Sequence, residues 1–250
     1  MPRRLGQHFL TSRPILQRIA EAVCPDPDWT VIEIGPGRGA LTDPLLTRAH
    51  QLIAIEVDQV LVHYLQQKFR NEPKFSVLNQ DVLKSDLTEW GQVAVVGNLP
   101  YYITSPIVEK VLAMGTLLQN AVFLVQKEVA ERMAASPGSR DYGYLSVQVR
   151  LYAEPKVLFS VPRGAFSPPP KVDSAVIQLK PRPQPLVEDP LALLQLASHA
   201  FRQKRKTLRN NLAGPYLKEA VEAQPEARQR AEQLSIEQFA DLHQRILKFR

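Results

Sequence analysis

The sequence predicts an α/β fold, in which a parallel sheet is followed by a smaller helical region. Short apolar runs recur along the first 130 residues, and the segments between them have helical periodicity, as in parallel strands joined by crossover helices. A glycine-rich stretch follows the first of these runs. Beyond a proline-rich segment at residues 180–185, the pattern is helical throughout. We therefore predict one domain over residues 1–180 and a helical domain over residues 181–250.

The composition limits the class of protein. A chain of 250 residues can bury a substantial core, and its net charge of +6 favours a polyanionic partner such as nucleic acid. No apolar run approaches the ~20 residues of a membrane span, so we expect no membrane association. The first ten residues lack the apolar stretch of a secretory signal, and Cys24 is the single cysteine, so we expect a cytoplasmic protein without disulfides. The five histidines are scattered, and we expect no metal site.

Each element has a local signal. Apolar residues on one face predict a first helix that Thr11 or Ser12 caps and that ends at Val23. Asp58 is placed to cap a later helix, and Ser235 to cap the last one. The predicted strands are residues 30–34, 52–55, 75–78, 93–96 and 121–125, with an antiparallel pair at 157–161 and 174–179. The other predicted helices are 59–69, 105–114, a segment after 127, 144–152, 191–201, 208–212, 215–222 and 236–249.

The glycine-rich stretch predicts a ligand site at a strand end. Gly35, Gly37 and Gly39 follow the first sheet strand and precede a helix, where the backbone can approach a ligand closely. A tight turn without a ligand would use the same residues, and the GxGxxA form of a dinucleotide site also fits. Glu56 and Asp81 end the next two strands, which offers one carboxylate for a ribose and one for a base. A nicotinamide enzyme explains only the first carboxylate, so the pair favours S-adenosylmethionine.

The stretch over residues 93–104 predicts the reacting centre. A buried strand over residues 93–96 stops at Gly97, and Asn98, Leu99, Pro100 and Tyr101 form a turn that proline stiffens. An amide, a backbone carbonyl and an aromatic ring would then meet at the carboxyl ends of the strands, where ligands bind in open α/β sheets. A turn with a capping asparagine is the alternative interpretation.

Basic residues cluster at two places. Arg3 and Arg4 form a basic arm at the start of the chain, and a second run lies in the predicted helical domain. Such a run is usually a solvated face, but beside an active site it suits contact with phosphates. The candidate RNA-binding residues are Arg202, Lys204, Arg205, Lys206 and Arg209.

Taken together, the motifs resemble the KsgA-like small-subunit rRNA adenine N6,N6-dimethyltransferases over nearly the whole chain. The matching blocks are GQHFL, EIGPGRGALT, IEVD, QDVL, GNLPYYIT, VQKEVAERM, FSPPPKVDSAVIQL and AFRQKRKTLRNNL. The resemblance implies a Rossmann-like class I methyltransferase core that depends on S-adenosylmethionine, with a small all-helical C-terminal domain. The cofactor contacts that it implies are His8, Leu10, Gly35 and its loop, Glu56, Asp81 and Asn98. The family usually has Asn where His8 stands.

The resemblance also implies the reaction. Asn98 and the Leu99 carbonyl would hold the target amino group, and Tyr101 and Phe166 would sandwich the base. The expected activity is dimethylation of N6 of two adjacent adenosines near the 3′ end of 16S rRNA, by a monomer acting on immature small ribosomal subunits, with S-adenosyl-L-homocysteine as product. The alternatives are a large-subunit rRNA adenine methylase of the macrolide-resistance type, a non-catalytic nucleic-acid-binding factor on this fold and, more distantly, a nicotinamide-dependent dehydrogenase.

Overall fold

The computed structural model describes residues 8–184 and 186–248, which form two compact units. The first unit runs to Ala130 and resumes at Glu154–Pro181, and the second combines Glu131–Ala153 with the chain from Arg182 onward. The sequence predicted a single boundary near residue 180. The inserted segment groups with the C-terminal helices because its large apolar side chains, among them Tyr142, are buried in their core. Arg3, Arg4 and Phe249, which the predictions included, lie outside the described residues.

The first unit holds the predicted sheet, and the helices alternate with its strands. The strands are β1 (Phe9–Leu10), β2 (Thr30–Ile34), β3 (Gln51–Glu56), β4 (Phe75–Asn79), β5 (Val93–Asn98), β6 (Leu118–Gln126), β7 (Ala153–Val161), β8 (Phe166–Ser167) and β9 (Ser174–Pro181). The helices are α1 (Arg13–Val23), α2 (Thr42–Leu46), α3 (Gln59–Lys68) and α4 (Thr104–Leu112), and α5 (Lys127–Ala134) follows β6. The α/β class predicted from the sequence is confirmed.

Seven strands form one sheet in the order β4-β3-β2-β5-β6-β9-β7. The strands from β4 to β6 are parallel, and β9 pairs with β6 in the antiparallel sense. The chain builds outward from β2 through β3 and β4, and it then returns to place β5 on the other side of β2. This reversal makes the crevice beyond the carboxyl ends of β2 and β5 the expected ligand site of an open α/β sheet.

The register of β2, β3 and β5 brings the ends of these strands, and the predicted site residues that follow them, side by side at one edge of the sheet. Ile34, the last residue of β2, pairs with Ile55 on one side and with Gly97 on the other. The residues that follow these three positions therefore leave the sheet side by side. The prediction that β5 stops at Gly97 is wrong, because Asn98 still pairs with Leu124 of the neighbouring strand.

A separate two-stranded sheet joins the start of the described chain to a distant segment. Phe9 pairs with Ser167 and Leu10 pairs with Phe166, in the antiparallel sense. The Thr11 hydroxyl continues this contact by donating to the carbonyl of Ala165 at 3.0 Å. Because that hydroxyl is used there and Ser12 makes no capping bond, the predicted side-chain cap of α1 is wrong.

The second unit is helical apart from its turns. Its helices are α6 (Tyr144–Tyr152), α7 (Pro190–Ala200), α8 (Leu208–Leu212), α9 (Lys218–Glu222) and α10 (Ile236–Lys248). Ser235 caps α10 as predicted, since its hydroxyl accepts from the backbone N–H of Gln238 at 3.2 Å. The predicted start of α9 at residue 215 is wrong, because Leu217 has extended backbone and the helix begins after it. Within the described ranges, no helix has both the length and the apolar character needed to cross a membrane.

Candidate functional site

A cavity of about 1330 Å³ opens in the first unit at the carboxyl ends of β2, β3 and β5. Pockets for single small molecules usually hold about 300–1,000 Å³, so this cavity has room for more than one ligand. Most of the predicted site residues line it: His8, Leu10, Gly35, Gly37, Glu56, Asp81, Asn98, Leu99, Pro100 and Tyr101. The topology has therefore gathered residues from separate stretches of sequence around one space.

The glycine loop forms one wall of the cavity. Gly35 has a φ of +64°, and a Cβ placed there would meet no atom within 4 Å, so its backbone faces open space. Gly37 has a φ of +57°, and a Cβ would come within 2.9 Å of the Phe9 ring. Gly39 does not line the cavity, because it packs against the side chains of Leu65 and Phe69. Its predicted role as a cofactor contact therefore has no support from its position.

The two carboxylates predicted to bind an adenosyl group are both present in the wall. Glu56 is buried, and its oxygens accept from the backbone N–H of Gly37 at 3.3 Å and of Asp58 at 3.0 Å. Burial raises the pKa of the Glu56 carboxyl, although these backbone bonds act against the increase. Asp81 is half-buried and accepts from the backbone N–H of Leu83 at 3.0 Å. Each carboxylate is thus held in place by backbone N–H groups.

Asn98 is oriented by a hydrogen bond from a residue 90 positions away. Its side-chain nitrogen Nδ2 donates to the backbone carbonyl of His8 at 3.0 Å. A carbonyl oxygen can only accept, so this contact fixes which end of the amide faces His8. The opposite end, Oδ1, has no hydrogen-bond partner among the described residues. The amide is therefore fixed with an acceptor left over at the cavity.

The His8 ring is fixed by a second contact. Its Nδ1 lies 2.8 Å from the Pro168 carbonyl oxygen, which requires the proton to be on Nδ1. The ring also stacks beside Tyr101, with centroids 6.3 Å apart and an angle of 25° between the planes. The Tyr101 hydroxyl in turn lies 3.3 Å from the Ser174 hydroxyl. His8 thus positions Asn98 through its backbone and Tyr101 through its ring.

The turn after Asn98 is rigid. The Leu99 N–H donates to the Leu124 carbonyl at 3.0 Å, and the Leu99 side chain is buried. The carbonyl of Pro100 accepts both from the Ile103 N–H at 3.1 Å and from the Thr104 hydroxyl at 3.1 Å. These bonds hold the turn from both sides, so the groups that it presents to the cavity are fixed in advance.

Phe166 lies in the core of the first unit. Only 4% of its surface is exposed, it pairs with Leu10 in the small sheet, and it does not line the cavity. Its neighbour Ser167 does line the cavity. The structure places Phe166 against Leu10 and outside the cavity wall, and its predicted part in a sandwich with Tyr101 stays a prediction. Packing in the core is the ordinary fate of a phenylalanine beside apolar partners.

Glu33 is a cavity residue that the sequence predictions missed. It lies within β2, it is 2% exposed, and its Oε2 accepts from the Thr42 hydroxyl at 2.6 Å. Burial raises the pKa of the Glu33 carboxyl to about 7, and the Thr42 hydrogen bond acts in the opposite direction. A charged residue inside an otherwise apolar strand, two positions before the glycine loop, was the available signal.

The predicted RNA-binding residues lie in the second unit. We use the name basic loop for residues 202–209, which connect α7 to the first turn of α8. Its five cations, Arg202, Lys204, Arg205, Lys206 and Arg209, are all exposed. Arg209 pairs with Glu222 at 2.7 Å, and the other four form no ion pair within the described ranges. The loop therefore presents to solvent four positive charges that have no ion-pair partner among the residues that the structure describes.

The basic loop is held by Asn211, which is 7% exposed. Its Nδ2 lies 2.7 Å from the carbonyl oxygen of Ala200, 3.1 Å from that of Gln203 and 3.4 Å from that of Lys206. One amide group thus joins the end of α7 to two points of the loop.

Across the described part of the chain, no three His, Cys, Asp or Glu side chains gather in a way that could hold a metal ion.

The chain is similar to known proteins over nearly its whole length. Residues 2–248 match the sequence profile of a family described as ribosomal RNA adenine dimethylase. The chain is 45% identical to the ribosomal RNA small subunit methyltransferase A of Synechococcus elongatus, over 96% of this chain and 93% of that protein. It is 44% identical to the protein of the same name from Latilactobacillus sakei, over 95% and 87% of the two chains.

Two solved structures share the architecture. A dimethyladenosine transferase from Plasmodium falciparum has a TM-score of 0.85 at 26% identity, with 97% of each chain covered. The 23S rRNA methyltransferase ErmE has a TM-score of 0.77 at 31% identity, covering 95% of this chain and 99% of that one. With the profile match and the identity to the small-subunit enzymes, these likenesses show that the chain belongs to the ribosomal RNA adenine dimethylase family.

Proposed function

We propose that this protein transfers methyl groups from S-adenosylmethionine to N6 of two adjacent adenosines near the 3′ end of small-subunit rRNA, as a monomer acting on immature subunits in the cytoplasm. The observation that carries the proposal is the orientation of Asn98, whose amide nitrogen is held by His8 and whose oxygen is left without a partner, among the described residues, at the cavity. The names of the relatives support rRNA as the substrate.

The cavity has features that suit S-adenosylmethionine, which is a cation with a ribose and an adenine. Glu33 and Glu56 are buried carboxyls on the cavity wall, and neither has an ion-pair partner among the described residues. A buried carboxylate without a cation is costly, so a cationic ligand would be favoured there. The open backbone at Gly35 gives close access for the ligand, and Glu56 and Asp81 offer acceptors for the ribose hydroxyls and the adenine amino group.

Asn98 and the Leu99 carbonyl would act on the target amino group. The N6 lone pair of adenine is delocalised into the ring, so the nitrogen is a poor nucleophile. Two acceptors that bind both N–H groups favour a tetrahedral nitrogen, and they bind more strongly as positive charge develops on it. When bound, S-adenosylmethionine would supply an electrophilic methyl group on its sulfonium. Because an amide occupies position 98 and no carboxylate does, we assign no strong general base, and the proton leaves to water.

The adenine must leave its stack to reach this corner. Tyr101 lines the cavity with its ring already held by His8 and Ser174, so it offers a fixed face on which a flipped base can stack. Phe166 would complete a sandwich only if it moved out of the core. The basic loop would bind phosphates of the same RNA through the four cations that form no ion pair within the described ranges.

The test is tritium transfer from S-adenosylmethionine to small subunits isolated from a strain without this activity. We expect the label in small-subunit rRNA, as dimethyladenosine after digestion to nucleosides. Fully methylated small subunits and large subunits serve as controls. Label in large subunits alone would support the macrolide-resistance type instead. Binding of S-adenosylmethionine without any transfer would support a non-catalytic factor.

A further inference from the structure

Tyr102 differs from the other aromatic residue of the same turn. Its side chain is 69% exposed and lines the cavity, whereas Tyr101 is half-buried between His8 and Ser174. No hydrogen bond or ring contact involves the Tyr102 side chain within the described residues. A large aromatic ring therefore lies open to solvent at the edge of the site.

The backbone beneath this ring is fixed. Tyr102 lies inside the turn closed at the Pro100 carbonyl by Ile103 and Thr104, and α4 begins two residues later. A tyrosine side chain has only two rotatable bonds that matter for its position, so a ring on a rigid turn loses little entropy when it binds a partner. The turn thus presents a flat apolar face at a defined place.

The chemistry of the site indicates which partner this ring would bind. When a base is flipped into a pocket, the neighbouring base in the strand loses its stacking partner and lies at the pocket mouth. An aromatic side chain can take the place of that stacking partner, because every base has a π face. Val57 and Leu83 are also exposed cavity residues, but their aliphatic side chains offer no flat ring.

We propose that Tyr102 stacks on the base next to the target adenine in the substrate RNA. This inference rests on the proposed function, because it requires an RNA substrate whose target base enters the cavity. It assigns to Tyr102 binding of RNA outside the reacting centre. Stacking that is equally strong before and during methyl transfer lowers KM and leaves kcat unchanged.

The test compares Tyr102→Ala, Tyr102→Leu, Tyr102→Phe and Tyr102→Trp in methyl transfer to unmethylated small subunits. We expect Ala to raise KM for subunits by about fivefold to a hundredfold, the range for removing the stacking of one base, with kcat and the Kd for S-adenosylmethionine unchanged. Phe and Trp should keep a KM near that of the wild type, and Leu should behave as Ala. The salt dependence of binding should not change, because the tyrosine side chain carries no charge that could bind a phosphate.

Tyr64→Ala is the matched control, since Tyr64 belongs to the same unit, is 48% exposed and does not line the cavity. An unchanged KM for Tyr102→Ala, or a Leu variant as good as Phe, would overturn the assignment to stacking. If the wild type itself transfers no methyl group to subunits, the proposed function fails instead. The ring is exposed, so all four variants should unfold at the wild-type temperature, and a variant that melts earlier would indicate a structural role for Tyr102.

Discussion

Two asparagines, one in each unit, use the same side chain in opposite ways. The amide nitrogen of Asn98 donates to a single carbonyl, that of His8. Asn98 lines the cavity, and its amide oxygen has no partner among the described residues. Asn211 is buried, and its nitrogen serves three carbonyls at the base of the basic loop. The first arrangement leaves an acceptor for a ligand, while the second holds a backbone and leaves the work of binding to nearby cations.

The difference distinguishes a side chain that can bind a ligand from one that holds the backbone in place. A side chain that binds a ligand is held at one end and unsatisfied at the other, at the wall of a cavity. A supporting side chain such as Asn211 also has its donors satisfied inside the protein, but it does not line the cavity. Two buried carboxyls differ in their charge partners: Glu33 at the cavity has no cation partner in the described part of the chain, whereas Glu226 in the second unit pairs with Arg245 at 2.7 Å.

Asn98→Ala removes the acceptor that this residue offers at the cavity. We expect methyl transfer to fall by roughly ten- to a thousandfold, the range for removing one polar interaction with the transition state, with binding of S-adenosylmethionine largely intact. Single-turnover transfer to unmethylated small subunits and a cofactor titration measure the two effects.

Asn79→Ala is a suitable control for this variant. Asn79 also ends a strand and donates to two backbone carbonyls, those of Glu56 and Val57, but it does not line the cavity. Its removal should therefore leave kcat close to that of the wild type. Full methylation of rRNA by Asn98→Ala would remove Asn98 from the mechanism.

Glu33→Gln tests the contrast between the carboxyls. Folding raises the Glu33 pKa from 4.5 to about 7, so between these pH values the native state keeps a proton that the unfolded state releases. The wild type should therefore lose stability as pH rises from about 4.5 to 7, by about 3 kcal/mol from this group. The free energy of unfolding of the variant should not contain this pH-dependent decrease, because glutamine has no carboxyl to titrate.

The measurement is the free energy of unfolding of wild type and Glu33→Gln from pH 4 to pH 8, in denaturant. The difference between the two should grow in favour of the variant up to pH 7 and then level off. Glu21→Gln removes a carboxyl at an exposed site and serves as the control. Parallel curves for wild type and Glu33→Gln would show that Glu33 ionises normally when folded.

Asn211→Ala tests the supporting role in the second unit. The change removes the side-chain donor from three carbonyls, of which that of Gln203 still accepts from the Lys206 N–H at 3.0 Å, and it should cost about 1–3 kcal/mol of stability. Hydrogen–deuterium exchange should become faster over residues 200–207, and RNA should bind more weakly. The exposed neighbour Asn210 supplies the control variant, Asn210→Ala. Exchange at the wild-type rate in Asn211→Ala would show that the basic loop stays ordered without the Asn211 side chain.

The smallest expected effect concerns the charges of the basic loop. Replacing Lys204 and Arg205 with Gln should reduce the log–log salt slope of RNA binding by about 0.7 to 0.9 for each phosphate that the loop no longer binds. Replacing Arg70 and Arg140 removes the same charge from exposed sites outside the loop. If both double variants change the slope equally, the slope reflects net charge, and the loop is only a solvated face.

The sequence predicted the fold well because burial leaves a local pattern. Residues 144–152 form α6 as predicted, and Asp58 caps α3 by accepting from the Val60 N–H at 2.8 Å. Helical and strand periodicity report which face of a segment is buried. They do not report which distant segment covers it, so the grouping of residues 131–153 with the C-terminal helices has no local signal in the sequence.

The candidate site was predictable where motif and strand end coincide, as at Gly35, Glu56 and Asn98. Its remaining features depend on contacts across long stretches of chain. Phe166 and Gly39 have residue types that suit either core or ligand, and only packing decides between them. The bond between His8 and Asn98 spans 90 positions, so no local pattern indicates it.

The small sheet of β1 and β8 has a consequence for the order of synthesis. His8 aims the Asn98 amide, but its own segment is held by residues 165–168, which leave the ribosome long after the glycine loop and the turn at Asn98. When β2 to β6 have left the ribosome, the nascent chain therefore contains the parts of a methyl-transfer site. It does not yet contain residues 165–168, which hold the segment of His8 in place. Asn98 can therefore be oriented by His8 only after residues 165–168 have also left the ribosome.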